Sequence, residues 1–313
     1  MALFFPHNES FDYEMLRVIA AARYQGSDFS ELLQLVPTIK PGDFESWHDA
    51  FYKLAQRVEA EVHARVGDIP DSQLNASQRV AVRDRLFAAA SYYRSADFFL
   101  HGNPSDPRIN SLWERQTACF DRAMAVLGNG TRHTLRSAQG DFEIPIIVYK
   151  APGSGPKPTV ITGSGFDGAQ EEMMHATGFA GLERGFNVIT YEGPGQCSVV
   201  RDQGAGFIHD WERAVTPVVD FAIENAEALE IDPAKLVLLG YSLGGYLSVR
   251  AAAFEHRLAA CVALDGVWDF SLVFLHQVPP EALSLWHSGT SENRARFDEE
   301  LNKVLASGNL PTG

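Results

Sequence analysis

Along the first part of the chain the apolar positions recur three and four residues apart, as in Trp47, Phe51, Leu54 and Val58, and again in Leu86, Ala90, Tyr93 and Ala96. That is the period of a helix with one face turned to a core. From Tyr13 to about Leu127 the chain therefore reads as all helix, with breaks at Pro37 to Gly42, Gly67 to Asp71 and His101 to Pro107, where proline, glycine and aspartate interrupt the helical backbone. After Gly128-Asn129-Gly130 the period changes. Phe142 to Tyr149, Thr159 to Thr162, Asn187 to Tyr191, Lys235 to Tyr241 and Cys261 to Leu264 are short runs rich in Val, Ile, Leu and Tyr, and they predict buried strands. Helical stretches at Glu171 to Glu183, Trp211 to Leu229 and Gly245 to His256 alternate with the later strands, which predicts strand-helix-strand connections and a parallel sheet. No internal repeat is evident. The expected organisation is a helical domain at 1–130, an α/β core at 131–270 and a helical segment at 271–313.

Length and composition narrow the class. The 313 residues leave room for about two domains, and 45% hydrophobic with 21% charged residues is a globular balance, which excludes disordered and low-complexity readings. A formal charge of -14 opposes attraction to phosphate backbones and anionic membranes, so nucleic acid and membrane are not expected partners. Cys119, Cys197 and Cys261 are an odd number without CxxC spacing, which suggests neither a disulfide framework nor a zinc site and favours a reducing compartment. The start lacks a basic segment followed by an apolar one, and no apolar run approaches a membrane span. A cytoplasmic location is the expectation, and a homodimer is left open.

The strongest chemical signal is Gly240-Tyr241-Ser242-Leu243-Gly244, followed by Gly245. A serine hydroxyl is a poor nucleophile unless it is held exposed beside a base, and a G-x-S-x-G elbow exposes it on a sharp turn between a strand and a helix. Here an apolar strand, Lys235-Leu-Val-Leu-Leu239, precedes the turn and a plausible helix, Tyr246 to His256, follows it. The bland alternative is a glycine-rich turn without chemistry. In the sharper reading Ser242 is the nucleophile, and the amide of Leu243 at the helix N-terminus is one oxyanion donor. A second donor normally comes from the loop after an earlier strand. Thr159 to Thr162 followed by Gly163-Ser-Gly-Phe-Asp-Gly168 supplies such a loop, with the Phe166 amide as the expected donor and Gly165 beside it. The same glycines formally match a dinucleotide pattern, but the preceding strand is not the first of the sheet and the elbow lies downstream. No Gly-Lys-Ser/Thr follows, so the phosphate-loop pattern fails.

Together these segments resemble an α/β-hydrolase, and specifically the family of fungal polyketide-shortening hydrolases of pigment pathways, more distantly related to dihydroxypseudooxynicotine hydrolases. The resemblance rests on Gly163 to Glu172, on Tyr191-Glu-Gly-Pro-Gly-Gln196, on Phe207-Ile-His-Asp-Trp211 and on Gly240 to Gly245, and it extends over nearly the whole chain. It implies an α/β-hydrolase core, mostly parallel, under an N-terminal all-helical cap. It further implies hydrolysis of a polyketide-type substrate, either at a carbon-carbon bond in a retro-Claisen manner or at an ester or thioester. No metal or organic cofactor is called for. Ser242 maps onto the nucleophile, and Phe166 and Leu243 onto the oxyanion donors.

One departure from the pattern is serious. The fold orders its triad as serine, acid and histidine, but only one strand, Cys261 to Leu264, is recognisable after Ser242. The acid and histidine are therefore expected beyond Gly313, in a longer protein of which this sequence is a C-terminally truncated version. If the chain were naturally complete, a catalytically inactive binding protein would be the rival reading. Local candidates are Asp265, Asp269, His276 and His287, more simply read as turn, solvent-facing and lid residues. Of the other histidines, His175 is expected to pack on the helix after the oxyanion loop, His209 to open the helix at Trp211, and His48 and His63 to lie on the surface. Glu171 and Glu172 are read as carboxylates favoured at a helix start, with an acid-base pair as the alternative. Glu192 is read as a turn residue or a substrate contact. Tyr92, Tyr93, Phe98 and Phe99 are read as helix-core residues that could instead line an aromatic pocket.

Overall fold

The computed structural model describes residues 3–275 and 278–306. Two compact units emerge, one formed by Met1–Val126 together with Asp269–Gly313, the other by Leu127–Trp268.

The first unit begins with five helices: α1 (Glu9–Ala20), α2 (Phe29–Leu35), α3 (Phe44–Val66), α4 (Ala76–Asp97) and α5 (Pro107–Leu127). Side-chain oxygens start most of them. Asn8 accepts from the Phe11 amide, Asp28 from Ser30 and Glu31, and Asp43 from Ser46, while Asn75 and Gln78 form a reciprocal capping box. The expected breaks fall between these helices, and Gly67 ends α3 with φ +55°. Helices α3 and α4 face each other through Trp47, Phe51 and Tyr92, all buried, and the Trp47 indole N–H donates to the Ser95 carbonyl at 2.8 Å.

The second unit is a six-stranded sheet in the order β1-β2-β4-β3-β5-β6. Its strands are β1 (Gly130–Arg136), β2 (Glu143–Tyr149), β3 (Lys157–Gly163), β4 (Asn187–Tyr191), β5 (Ile231–Tyr241) and β6 (Ala260–Leu264). The pairs β3–β4, β3–β5 and β5–β6 are parallel, as the alternation of strands and helices predicts. The pairs β1–β2 and β2–β4 are antiparallel, so the sheet is mostly parallel, as expected, with an antiparallel side. Strand β1, Gly-Thr-Arg-His-Thr-Leu-Arg, escaped the sequence reading because it lies at the sheet edge, half-exposed, with few apolar positions to betray it.

Between the strands run α6 (Gln170–Met173), α7 (Phe179–Glu183), α8 (Cys197–Gln203), α9 (Glu212–Glu224), α10 (Ala226–Leu229) and α11 (Leu243–Ala252). The helix expected at Glu171 to Glu183 is interrupted by a π turn at Met174–Gly178, and that at Trp211 to Leu229 breaks at Asn225. The remaining helices, α12 (Phe270–Leu275), α13 (Pro280–His287) and α14 (Ser291–Ala306), follow the sheet, with Val278, Ala282 and Phe297 forming a small cluster of their own.

Register places the site. Gly163 pairs with both Tyr191 and Gly240, and Tyr241 pairs with Leu264, so the C-terminal ends of β4, β3, β5 and β6 stand side by side. In open α/β sheets this is the edge at which ligands bind. At the far side β6 is an edge strand exposed at every position. Among the described residues no helix is long and apolar enough to cross a membrane.

Candidate active site

Ser242 sits at the turn between β5 and α11 with φ +58° and ψ −128°. A side chain rarely adopts positive φ, and holding one there costs about 1–3 kcal/mol, so the surrounding structure must impose it. Two backbone bonds do so: the Ser242 N–H donates to the Leu264 carbonyl at 2.9 Å, and the Ser242 carbonyl accepts from the Gly245 N–H at 2.8 Å. The glycines of the motif are required by close approach. A methyl group on Gly240 would stand 1.9 Å from the Gly244 carbonyl oxygen, one on Gly244 would stand 2.3 Å from that of Ser164, and one on Gly245 would meet the Gly266 Cα at 2.7 Å.

The loop after β3 is pressed against this turn. A Cβ at Gly165 would lie 2.9 Å from the Leu243 nitrogen, 2.9 Å from the Tyr241 oxygen and 3.0 Å from the Ser242 Cβ. The structure thus brings Gly165, the neighbour of Phe166, against both Ser242 and Leu243. As the first residue of α11, Leu243 has an N–H without an intrahelical acceptor. Among the described residues no carbonyl accepts from the Phe166 N–H either. Backbone amides without a protein acceptor are the kind of donor that can bind an oxyanion. The Phe166 side chain is 65% exposed and stacks on Phe207 with ring centroids 5.7 Å apart and planes 12° apart.

Beneath the site lies the loop from Glu192 to Gln196. Glu192 is fully buried: one carboxyl oxygen accepts from the Gln170 N–H at 2.8 Å and the other from the Ser198 N–H at 2.8 Å and from the Ser198 hydroxyl. It therefore holds the first turns of both α6 and α8, and the expectation that it could touch substrate is corrected. Burial, and then the nearby charge of Glu171, push its carboxyl up to about 7. Glu171 is itself buried and pairs with Arg132 at 2.6 Å, so the carboxylate expected at a helix start is tied to the sheet. Tyr191 packs its ring against Gly163 and accepts from the Trp211 indole N–H at 3.1 Å. Gln196, only 1% exposed, was singled out in the sequence only as part of a motif. Its amide nitrogen donates to the carbonyls of Ser164 at 2.6 Å and Gly165 at 3.1 Å, while its oxygen accepts from the Gly193 N–H at 2.8 Å.

The remaining candidates separate cleanly. Asp265 ends β6 with φ +57° and is exposed, and Asp269 accepts from the Ser271 N–H at 2.9 Å. His287 is exposed on α13, and His276 lies outside the described residues. Among the described residues no histidine is hydrogen-bonded to the Ser242 hydroxyl. His175 is buried near Phe179, as expected, and His209 and His63 are exposed. His48, expected on the surface, is instead buried on α3, its Nδ1 3.1 Å from the Ala96 carbonyl. Tyr92, Tyr93 and Phe99 are core residues of the helical unit, with the Tyr93 hydroxyl donating to Glu59 at 2.6 Å, and Phe98 is half-buried. They serve packing within that unit.

Comparison with known proteins agrees with this fold. No protein-family profile matches the chain. Hydrolase ORFZ of Pyricularia oryzae is 33% identical over 95% of this chain and 70% of its own length. The 20-hydroxy-prefusarin hydrolase FUS2 of Gibberella moniliformis is 32% identical over 90% of this chain and 66% of its own length. Among solved structures, the 2,6-dihydroxy-pseudo-oxynicotine hydrolase matches with a TM-score of 0.67 and 24% identity, covering 92% of this chain and 75% of that one. The fold is that of an α/β-hydrolase with an N-terminal helical region. The chain belongs to the family of fungal hydrolases represented by ORFZ and FUS2, as the sequence motifs led us to expect, and it spans about two thirds of their length.

Two outcomes follow from this geometry. Because Ser242 is held at positive φ, Ser242→Gly will be more stable than Ser242→Ala by about 1 kcal/mol, the reverse of the ordinary preference, as read from urea midpoints. The raised Glu192 carboxyl favours folding in its neutral form, a contribution fully present below the usual glutamate pKa and lost as pH rises through about 7. Stability will therefore fall across that window in the parent. Glu192→Gln will flatten the fall while costing about 1–3 kcal/mol throughout, because an amide NH2 must face a backbone N–H.

Proposed function

We propose that the chain is a serine hydrolase that cleaves a carbon-carbon bond of a polyketide-type substrate in secondary metabolism. The observation that carries this reading is the strained Ser242 elbow packed against Gly165-Phe166, in a chain belonging to a family of fungal hydrolases. One relative is named for the hydrolysis of 20-hydroxy-prefusarin, which supports a secondary metabolite as the substrate.

In the proposed reaction the Ser242 Oγ, deprotonated by a histidine base that chain order in this fold places after the nucleophile, attacks a ketone carbonyl. The carbonyl oxygen becomes an oxyanion between the Phe166 and Leu243 amides. Collapse breaks the bond to the adjacent carbon, whose electron pair departs as an enolate stabilised by the next carbonyl and takes up at carbon the proton that the histidine removed from Ser242. Water then hydrolyses the serine ester to a carboxylic acid and restores the hydroxyl. The polyketide-like small molecule is the only partner this reaction needs, neither nucleic acid nor membrane takes part, and we place the reaction in the cytoplasm. The stacked pair Phe166 and Phe207 offers a flat apolar surface beside Ser242, which suits a conjugated acyl group.

The test is hydrolysis of a β-diketone in oxygen-18 water by the protein at its natural length. The expected outcome is one labelled carboxylic acid and one ketone in equal amounts, with at least a thousandfold loss of kcat in Ser242→Ala. Cleavage of esters or thioesters with the diketone left intact would favour acyl-ester hydrolysis instead, and full activity in Ser242→Ala would overturn the serine mechanism.

A further inference from the structure

We propose that Gln196 is a positioning residue that orients and polarises the peptide supplying the oxyanion-binding amide of Phe166; this inference rests on the serine-hydrolase reading above. The Phe166 N–H belongs to the same planar peptide group as the Gly165 carbonyl, and the two point in opposite directions. Whatever fixes the carbonyl therefore fixes the N–H. The Gln196 amide nitrogen donates to that carbonyl at 3.1 Å and to the preceding one, of Ser164, at 2.6 Å. Two successive peptides of the loop are thus gripped by one side chain.

Gln196 is itself held in place. It is 1% exposed, and its oxygen accepts from the Gly193 N–H at 2.8 Å, which fixes which end of the amide faces the loop. The loop needs such a restraint because Gly165 has no Cβ to limit its backbone, and none could fit, with the elbow 2.9 Å away from where it would be. The glycine that permits the close approach also leaves the peptide free to rotate. A rotation would turn the Phe166 N–H away from Ser242 and present a carbonyl oxygen to the developing negative charge. A hydrogen bond accepted by the Gly165 carbonyl also strengthens donation from the N–H of the same peptide, because linked hydrogen bonds polarise one another. Both effects matter most where charge is greatest, in the transition state, so they act on kcat more than on KM.

Two substitutions separate positioning from support. Gln196→Leu removes both donated bonds. Gln196→Glu keeps the size and the bond from Gly193 but sets a carboxylate against two carbonyls, and its protonated form regains one donor. With an activated acyl ester and the protein at its natural length, both variants are expected to lose about tenfold to a hundredfold in kcat at neutral pH, with KM changed less than threefold. The ratio of Gln196→Glu to parent kcat is expected to rise as pH falls, while that of Gln196→Leu stays flat. A pH-independent ratio for Gln196→Glu, or a kcat within twofold of the parent in either variant, would overturn the proposal. If Gln196→Leu fails to fold, the pH profile of Gln196→Glu alone decides. Ser242→Ala, run alongside, keeps the failures apart: retained activity there refutes the serine mechanism, whereas an inactive Ser242→Ala with a fully active Gln196→Leu refutes only the role of Gln196.

Discussion

The structure around the elbow depends on one constraint, the holding of a non-glycine residue at positive φ. Ser242 is kept at +58° by bonds to Leu264 and Gly245, and the local cost of about 1–3 kcal/mol is offset by the packing of the sheet ends around it. Every neighbouring element must then come close. Gly240 and Gly244 fold the turn on itself, Gly165 lets the loop after β3 touch it, and Gly266 meets Gly245 from the loop after β6. A side chain at any of these positions would push the serine and the amides apart.

Behind this contact lies a buried polar frame. Glu192 satisfies the first turns of α6 and α8, Gln196 ties the loop after β4 to the loop after β3, and Trp211 fixes Tyr191 under Gly163. Each member is buried and hydrogen-bonded, so the loss of one partner leaves a polar group without compensation. Through this frame a segment that reads as a simple turn, Glu192-Gly-Pro-Gly-Gln196, holds the loop that carries Gly165 and Phe166.

Much of this was legible in the sequence. The change of period after Gly130 located the sheet, the run before Gly240 located β5, and the elbow motif located Ser242, because each is a local pattern with a local cause. Strand β1 was not legible, since an exposed edge strand needs no apolar alternation. The antiparallel pairing of β2 with β4 was hidden for another reason: pairing direction depends on how strands meet in space. The turn read at Glu192 is there, but the alternative of a substrate contact fails because the carboxylate is buried on two helix starts that only the fold reveals. His48 was misplaced because its burial depends on where Ala96 of α4 comes to lie against α3. The two carbonyls that Gln196 donates to lie more than thirty residues away, and a lone glutamine carries no mark of them.

The central claim is that the strained turn makes Ser242 a nucleophile, and covalent labelling tests it most directly. Treatment of the natural-length protein with a fluorophosphonate, followed by digestion and mass spectrometry, is predicted to place one adduct on the peptide containing Ser242, with loss of hydrolytic activity in proportion to labelling. An adduct on another residue, or full inactivation with Ser242 unmodified, would contradict the account.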